Sequence, residues 1–250
     1  MIDIHTHLLP GVDDGSPSIA ASVPVLQRFG AEGVELVVCT PHLDASRAHA
    51  APHDRFREIL SDLAAAAPAV PRLAMGWEIM LDVPGADLRD PRLGLDGSTA
   101  RLVEFARGGI PPNAADELER LRDAGVVPVV AHPERYWGCT RAHVAAWRSA
   151  GARIQMDVTA ILGSRRMSKL SEELLADGLV DCFASDTHVD HRSLAAARQW
   201  LDEVAPAEAA ALLTRDNAHR LLANDDPLPV PSIECRKGVM ERLRELVFGH

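Results

Sequence analysis

The sequence predicts an α/β fold built as a closed or nearly closed parallel barrel with seven strands, one fewer than the eight-fold form. Three observations carry this expectation. Seven short apolar runs recur along the chain, and most are continuous and not alternating, as in strands covered on both faces. Ala-rich or charge-patterned helical stretches separate them, giving an order that is βαβα almost throughout. Histidines and carboxylates fall at, or just past, the C-terminal ends of six of the runs, the face where such barrels build their sites.

The strands are expected at Met1–Ile4, Val34–Cys39, Arg72–Trp77, Arg101–Phe105, Val126–Ala131, Arg153–Asp157 and Leu179–Ala184. Helices are expected over Ser18–Glu32, His53–Ala67, Ala114–Ala124, Ala142–Ala150 and Ser168–Asp177. Gly33, Gly125, Gly151 and Gly178 each stand after a helical stretch and before a strand, where a left-handed C-cap belongs. Beyond the seventh strand the chain reads as helical through Arg192–Val204, Pro206–Thr214, Asn217–Ala223 and a closing amphipathic Glu234–Phe248. The Pro-rich Asp225–Pro231 segment is a surface connection and not a domain boundary. Residues 1–250 are therefore expected to form one domain, with 206–250 as a helical completion of the barrel.

Composition excludes several classes. With 47% hydrophobic residues the chain can bury an ample core, and a formal charge of −10 disfavours a phosphate-backbone partner, so no nucleic acid is expected. Cys39, Cys139, Cys182 and Cys235 never form C-x-x-C, which removes a zinc ribbon or dithiol redox motif and suits a reduced, cytoplasmic protein. No stretch approaches the roughly eighteen apolar residues of a membrane span, so no direct membrane insertion is expected. Because the chain opens directly on a candidate functional strand, no signal peptide is expected.

The richest segment is Asp3-Ile4-His5-Thr6-His7. Two imidazoles spaced i, i+2 on a strand project from one face and can reach a single ion. A similar pairing returns as Asp186-Thr187-His188, and between the two lie His42, Glu78, Glu104 and His132. Five imidazoles with two or three carboxylates exceed one tetrahedral site, so two or three metal ions sharing carboxylates is the economical arrangement. With no thiolate in the set, Mn, Fe, Zn or Co would suit it, and clustered ions of this kind activate water and hold phosphate oxygens. Arg135, three residues after His132, and Arg192, four after His188, are placed to grip phosphate bidentately. A hydrolase follows.

The other polar residues have plainer readings. Asp3 is read as supporting or structural, Asp13 as a turn residue beside Asp14, and Glu134 as solvated or anchoring a loop. His49, His53, His143, His191, His219 and His250 lack strand-end context and read as surface or helix residues. Among the tryptophans, at least three are expected in packing, while Tyr136 and Trp137, beside Arg135, are placed near the pocket. Catalysis through cysteine would need C-x5-R. The residues six places after the four cysteines are Ala45, Ala145, His188 and Glu241, so that route is disfavoured.

The blocks Asp3-Ile4-His5-Thr6-His7-Leu8-Leu9-Pro10-Gly11-Val12-Asp13-Asp14-Gly15, Thr40-Pro41-His42, Leu102-Val103-Glu104-Phe105, Ala131-His132-Pro133-Glu134-Arg135-Tyr136, Ser185-Asp186-Thr187-His188 and Asn217-Ala218-His219-Arg220-Leu221-Leu222, together with Glu78, span almost the whole chain. They resemble the bacterial metal-dependent protein-tyrosine phosphatases of the PHP (polymerase and histidinol phosphatase) superfamily, of the type encoded in capsule and exopolysaccharide loci. The Leu-Pro-Gly-x-Asp-Asp-Gly extension is the most specific part of the match.

The resemblance implies a distorted (β/α)7 barrel of the PHP type with a trinuclear centre, usually manganese or iron, that hydrolyses phosphotyrosine on a membrane-associated tyrosine kinase. Carried over by position, one ion would take His5, His7, Glu78 and Asp186, a second Glu78, Glu104 and His132, and a third Asp14, His42 and His188. Arg135 and Arg192 match the phosphate-gripping arginines, although Arg192 lies one residue closer to the histidine than the family pattern has it. His42 or a metal-bound water would supply a proton to the leaving group. The competing expectations are a small-molecule phosphatase, such as one acting on histidinol phosphate, and a non-catalytic module that keeps metal only for folding or docking.

Overall fold

The computed structural model describes residues 1–106, 108–162 and 165–234. Its strands are β1 (Ile2–Thr6), β2 (Leu36–Cys39), β3 (His42–Asp44), β4 (Arg72–Met75), β5 (Glu78–Met80), β6 (Ala100–Glu104), β7 (Val127–Ala131), β8 (Arg153–Asp157) and β9 (Cys182–Ala184). They pair in parallel as two sheets, β1-β2-β4 and β3-β5-β6-β7-β8-β9. The parallel α/β architecture read from the continuous apolar runs is present, and β1 and β6 are buried at every position.

The strands stand as two parallel sheets, and among the described residues no closed barrel is found. Two of the predicted strands are each followed, after a two-residue gap, by a further short strand that the apolar runs did not include. Pro41 has no N–H to donate, so the ladder lapses after Cys39 and resumes as β3. The next predicted strand, expected to reach Trp77, stops at Met75, and β5 begins at Glu78 across Gly76 and Trp77. A Cβ on Gly76 would stand 2.7 Å from Leu95 Cδ2 and 3.0 Å from Val38 Cγ1, so this backbone is pressed against its neighbours. Across the breaks, Gly76 N–H donates to Cys39 O (2.9 Å) and Glu78 N–H to Pro41 O (3.1 Å). At the other end, Asp186 N–H donates to His5 O (2.9 Å) and His7 N–H to Thr187 O (3.0 Å), so the segment after β9 lies along β1.

The helices are α1 (Ile19–Ala31), α2 (His53–Ala66), α3 (Ala114–Asp123), α4 (Arg141–Ser149), α5 (Thr159–Leu162), α6 (Arg165–Ala176) and α7 (Leu194–Val204), of which all but the short α5 correspond to predicted ones. Ser18, Thr140 and Ser193 cap α1, α4 and α7 through their side chains. The four glycines expected at helix ends all have positive φ, with Gly151 the most extreme at +99°. The expected helices Pro206–Thr214 and Asn217–Ala223 are one run, α8 (Ala207–Ala211), a π turn (Leu212–Asp216) and α9 (Asn217–Leu222), in which the Thr214 hydroxyl donates to Ala210 O. Beyond Glu234, the expected closing helix, with Cys235 and His250, lies outside the described residues.

One small apolar cluster joins the two sheets. It packs Ile4, Val38, Leu102, Val129 and Ala184, from strands of both sheets, with Ala218 and Leu221 of α9. The candidate polar residues stand beyond this cluster, at the C-terminal ends of the strands.

Candidate metal centre

The end of β1 sets the geometry. His5 and His7, both fully buried, turn their rings to one side so that Nε2 of one lies 3.3 Å from Nε2 of the other. Each ring is held by its other nitrogen. His5 Nδ1 is 3.0 Å from Gln155 Oε1, and His7 Nδ1 is 2.7 Å from Asp13 Oδ2. The loop carrying Asp13 folds onto β1 because Gly15 lacks a side chain: a Cβ there would lie 2.2 Å from His7 O. Gly15 N–H donates to Asp13 Oδ1, and Ser16 N–H to His7 O.

Glu78 and His42 are direct partners in the β3–β5 register, and Met80 pairs with Glu104, so three predicted ligands share one corner. Glu78 Oε1 lies 2.7 Å from His132 Nε2 and 3.3 Å from His5 Nε2; Oε2 lies 2.9 Å from His42 Nδ1 and 3.2 Å from His7 Nε2. Glu104 stands 3.9 Å from both His42 and His132. Asp14 Oδ1 is 3.2 Å from His42 Nε2 and 3.5 Å from His188 Nε2 at the exposed mouth. Asp186 Oδ1 completes the centre 3.3 Å from His5 Nε2 and 3.1 Å from His7 Nε2.

All nine residues expected as ligands therefore converge. Their donor atoms fall into four groups, His7/Asp14/His42/His188, His5/Glu78/His132, His5/His7/Asp186 and His42/Glu78/Glu104, each with its atoms within 4.8 Å of one another. Donors bound to a transition-metal ion at about 2.0–2.2 Å stand roughly 3 Å apart, the separation seen here between His5, His7, Glu78 and Asp186. Glu78 Oε2 and His132 Nδ1 are buried without an aligned hydrogen-bond partner. The donors are all nitrogen and oxygen. The residues fit a cluster of divalent ions.

Two of them hold strained backbone. His132 (φ 34°) and Asp186 (φ 47°) are left-handed, a conformation that turns each side chain inward just past its strand.

Charge and burial oppose each other throughout the centre. Burial alone would lower the His7 pKa, yet hydrogen bonds with Asp13, Asp186 and Glu78 carry it up to about 11. His5 is raised against burial by the charges of Glu78 and Asp186. Burial would raise Glu78, but His5, His132 and His42 hold it well below the usual carboxylate range, and Asp186 is lowered in the same way by His5, His7 and Arg135. Bound cations would replace these protons as the balancing charge.

Both predicted arginines are at the centre. Asp186 Oδ2 forms ion pairs with Arg135 and with Arg192 Nη1 (3.1 Å), while its Oδ1 faces the imidazole pair. Arg192 also meets Asp190 Oδ2 (2.7 Å) and His188 Nδ1 (2.8 Å).

Other expectations are corrected or extended. Tyr136, as expected, lines a cavity with Arg135 and Trp137. It is buried, its hydroxyl donates to Ala131 O (2.8 Å) and accepts from Phe105 N–H (3.2 Å), and its ring packs edge-on behind His132. Trp137 is 71% exposed and borders a cavity of about 220 Å³ with Arg135, whereas Trp77, Trp147 and Trp200 are core residues. His53 begins α2 but is buried edge-on against Trp77. Glu134 anchors a loop, accepting the Asp157 N–H (2.8 Å), and Asp3 accepts N–H groups of His5 and Ser185. Asp13 is a turn residue and also the partner of His7. Gln155 and Asp157 escaped sequence reasoning; their i, i+2 spacing on β8 was the available signal. Burial pushes the Cys39 and Cys139 thiols up to about 12 and Cys182 well above its usual value, the wrong direction for a thiolate nucleophile.

The model of the family described as "Capsular polysaccharide synthesis, CpsB/CapC" matches residues 1–223. The chain belongs to the CpsB/CapC family. It is 27% identical over 200 residues to the tyrosine-protein phosphatase YwqE of Bacillus subtilis, covering 75% of this chain and 77% of that one. Against the tyrosine-protein phosphatase CpsB of Streptococcus agalactiae it is 26% identical over 240 residues, 90% of this chain and 99% of the relative. Its fold matches a chain from the crystal structures of YwqE from Bacillus subtilis and CpsB from Streptococcus pneumoniae, described as metal-dependent tyrosine phosphatases. The TM-score is 0.75 at 24% identity, covering 95% of this chain and 100% of that one. A D-hydantoinase from a Bacillus species shares the fold more distantly, at a TM-score of 0.51 and 9% identity over 93% of this chain and 73% of that one. Among the described residues of this CpsB/CapC member, no helix is long and apolar enough to cross a membrane.

Proposed function

We propose that this CpsB/CapC member is a metal-dependent phosphoric monoester hydrolase that removes phosphate from tyrosine on a protein. The observation that carries the reading is Asp186, whose two oxygens face different machinery: an imidazole pair on one side and two guanidinium groups on the other. A site with cation ligands and paired arginines meeting at one carboxylate suits a dianionic phosphoryl group.

His5, His7, Glu78 and Asp186 would hold one ion, Glu78, Glu104 and His132 a second, and Asp14, His42 and His188 a third, with manganese the first choice and iron, zinc or cobalt the others. When bound, such ions supply positive charge to phosphoryl oxygens and make water a nucleophile near neutral pH. Arg135 and Arg192 orient the phosphoryl group by turning their N–H groups from Asp186 Oδ2 to its oxygens. His42 stands at the mouth with Nδ1 2.9 Å from Glu78 Oε2, and where it does not hold the third ion it is the chain's own group for delivering a proton to the departing phenolate oxygen. A phenol's pKa of about 10 makes that proton helpful but not indispensable.

The substrate is taken to be a membrane-associated bacterial tyrosine kinase that controls capsule or exopolysaccharide synthesis, and the enzyme to be cytoplasmic. Counting β2 with β3 and β4 with β5 as single interrupted strands gives the seven units of a distorted (β/α)7 barrel, with residues 1–250 as one domain. Steady-state kinetics of the manganese-loaded and EDTA-stripped protein on a phosphotyrosyl peptide, histidinol phosphate and a phosphodiester test the function. Turnover of the peptide that is lost on stripping is expected. A strong preference for histidinol phosphate, or no turnover of any phosphoester, overturns it.

A further inference from the structure

β8 supplies no member of the four donor groups, although it ends at the same face as the strands that do. Its two inward polar residues, Gln155 and Asp157, are nonetheless completely buried. Gln155 is accounted for by His5. Asp157 is not used by the chemistry described above, and a fully buried carboxylate needs partners to stay charged.

Those partners are the two arginines. Asp157 Oδ2 pairs with the Arg135 guanidinium and lies 3.8 Å from Arg192 Nη1, while Oδ1 accepts the Thr159 N–H (2.6 Å) at the start of α5. The residue is fixed from behind as well, since its own N–H donates to Glu134 Oε1 (2.8 Å), one residue before Arg135. We propose that Asp157 is a positioning residue that holds Arg135 and Arg192 side by side for a phosphate ligand.

The physical need is specific. Asp186 is the only other carboxylate that both guanidiniums reach among the ion pairs of the described residues. A phosphoryl group that draws the arginines away from Asp186 Oδ2 brings two like charges together. A second carboxylate that does not face the ion ligands keeps them paired during that exchange and limits how far they can swing. Asp157 thereby sets phosphate affinity without touching phosphate.

This role takes the phosphatase reading as given for turnover, but phosphate binding reads it independently. The experiment uses manganese-loaded Asp157→Asn, which is isosteric and keeps an oxygen for the Thr159 N–H. The expected results are unchanged manganese content, a KM for phosphotyrosyl peptide raised about tenfold with kcat within about twofold, and affinity for inorganic phosphate by calorimetry weakened about tenfold. In an Arg135→Ala background the same substitution should cost clearly less than in wild type, because only its contact with Arg192 remains. Should Asp157→Asn not fold, Asp157→Ser carries the same expectations. Unchanged phosphate affinity, lost manganese, or effects of Asp157→Asn and Arg135→Ala that simply multiply would each overturn the role. If wild type turns over no phosphotyrosine, the phosphatase reading falls, and the calorimetric comparison alone decides Asp157.

Discussion

His5 Nε2 and His7 Nε2 face each other across 3.3 Å, with Asp186 Oδ1 3.3 Å from the first and 3.1 Å from the second. Two lone-pair nitrogens so placed need something positive between them. A proton can serve one pair at a time; a cation serves all three donors together.

His7→Ala and Asp186→Ala each remove one donor from this triangle. Loss of several kcal/mol of transition-state stabilisation corresponds to roughly 10²–10³-fold in kcat/KM. Both variants are expected to lose at least that much and to retain less manganese by elemental analysis. Full metal occupancy with wild-type turnover in either variant would refute the ligand assignment.

Asp13→Asn should weaken metal affinity by about 10–100-fold while leaving the ligands themselves in place, because Asp13 orients the His7 ring through Nδ1. Titration of stripped protein with manganese reads this directly. An affinity equal to wild type would leave Asp13 as a turn residue alone.

Arg135→Ala is expected to lower kcat/KM by about 10²-fold, chiefly through substrate handling, with metal content preserved. Its two carboxylate partners, Asp157 and Asp186, would be left facing each other with Arg192 as their shared cation. Kinetics that match wild type on phosphotyrosine would remove the arginine from the mechanism.

Stripped protein should show a particular pH dependence. His7 is raised from 6.5 to about 11 in the fold, so the folded state holds a proton that the unfolded chain releases at lower pH. The stability it contributes is full below about pH 6.5 and fades as pH rises toward 11. Urea unfolding of stripped wild type and His7→Asn should differ more at pH 6 than at pH 9. Manganese affinity should move the opposite way, strengthening with pH as the imidazoles are freed of protons. A wild-type-to-variant gap that is flat with pH would place the proton elsewhere.

Tyr136→Phe should cost about 1–3 kcal/mol of stability, since it leaves a buried Phe105 N–H and Ala131 carbonyl without their shared hydroxyl. Thermal unfolding measures it. KM for phosphotyrosyl peptide should hardly change, and a large rise in KM would give the hydroxyl a part in substrate binding.

The site was more legible in the sequence than the sheet. His5 and His7 declare themselves because strand alternation converts i, i+2 into one face, and the remaining ligands share a strand-end position. Sheet continuity was harder to read, because the breaks at Pro41 and Gly76 fall inside or beside apolar runs whose partners are set only by tertiary pairing. Supporting residues were hidden for another reason. Gln155 meets His5 across 150 positions, and Asp157 is recognised only by the arginines that surround it.

The left-handed backbone at His132 and Asp186 has an evolutionary corollary. A β-carbon in that conformation costs on the order of 1–2 kcal/mol, which glycine would relieve. Breeding this scaffold for heat tolerance alone would therefore reward erasing two of the proposed ligands, and only simultaneous selection for turnover would keep them.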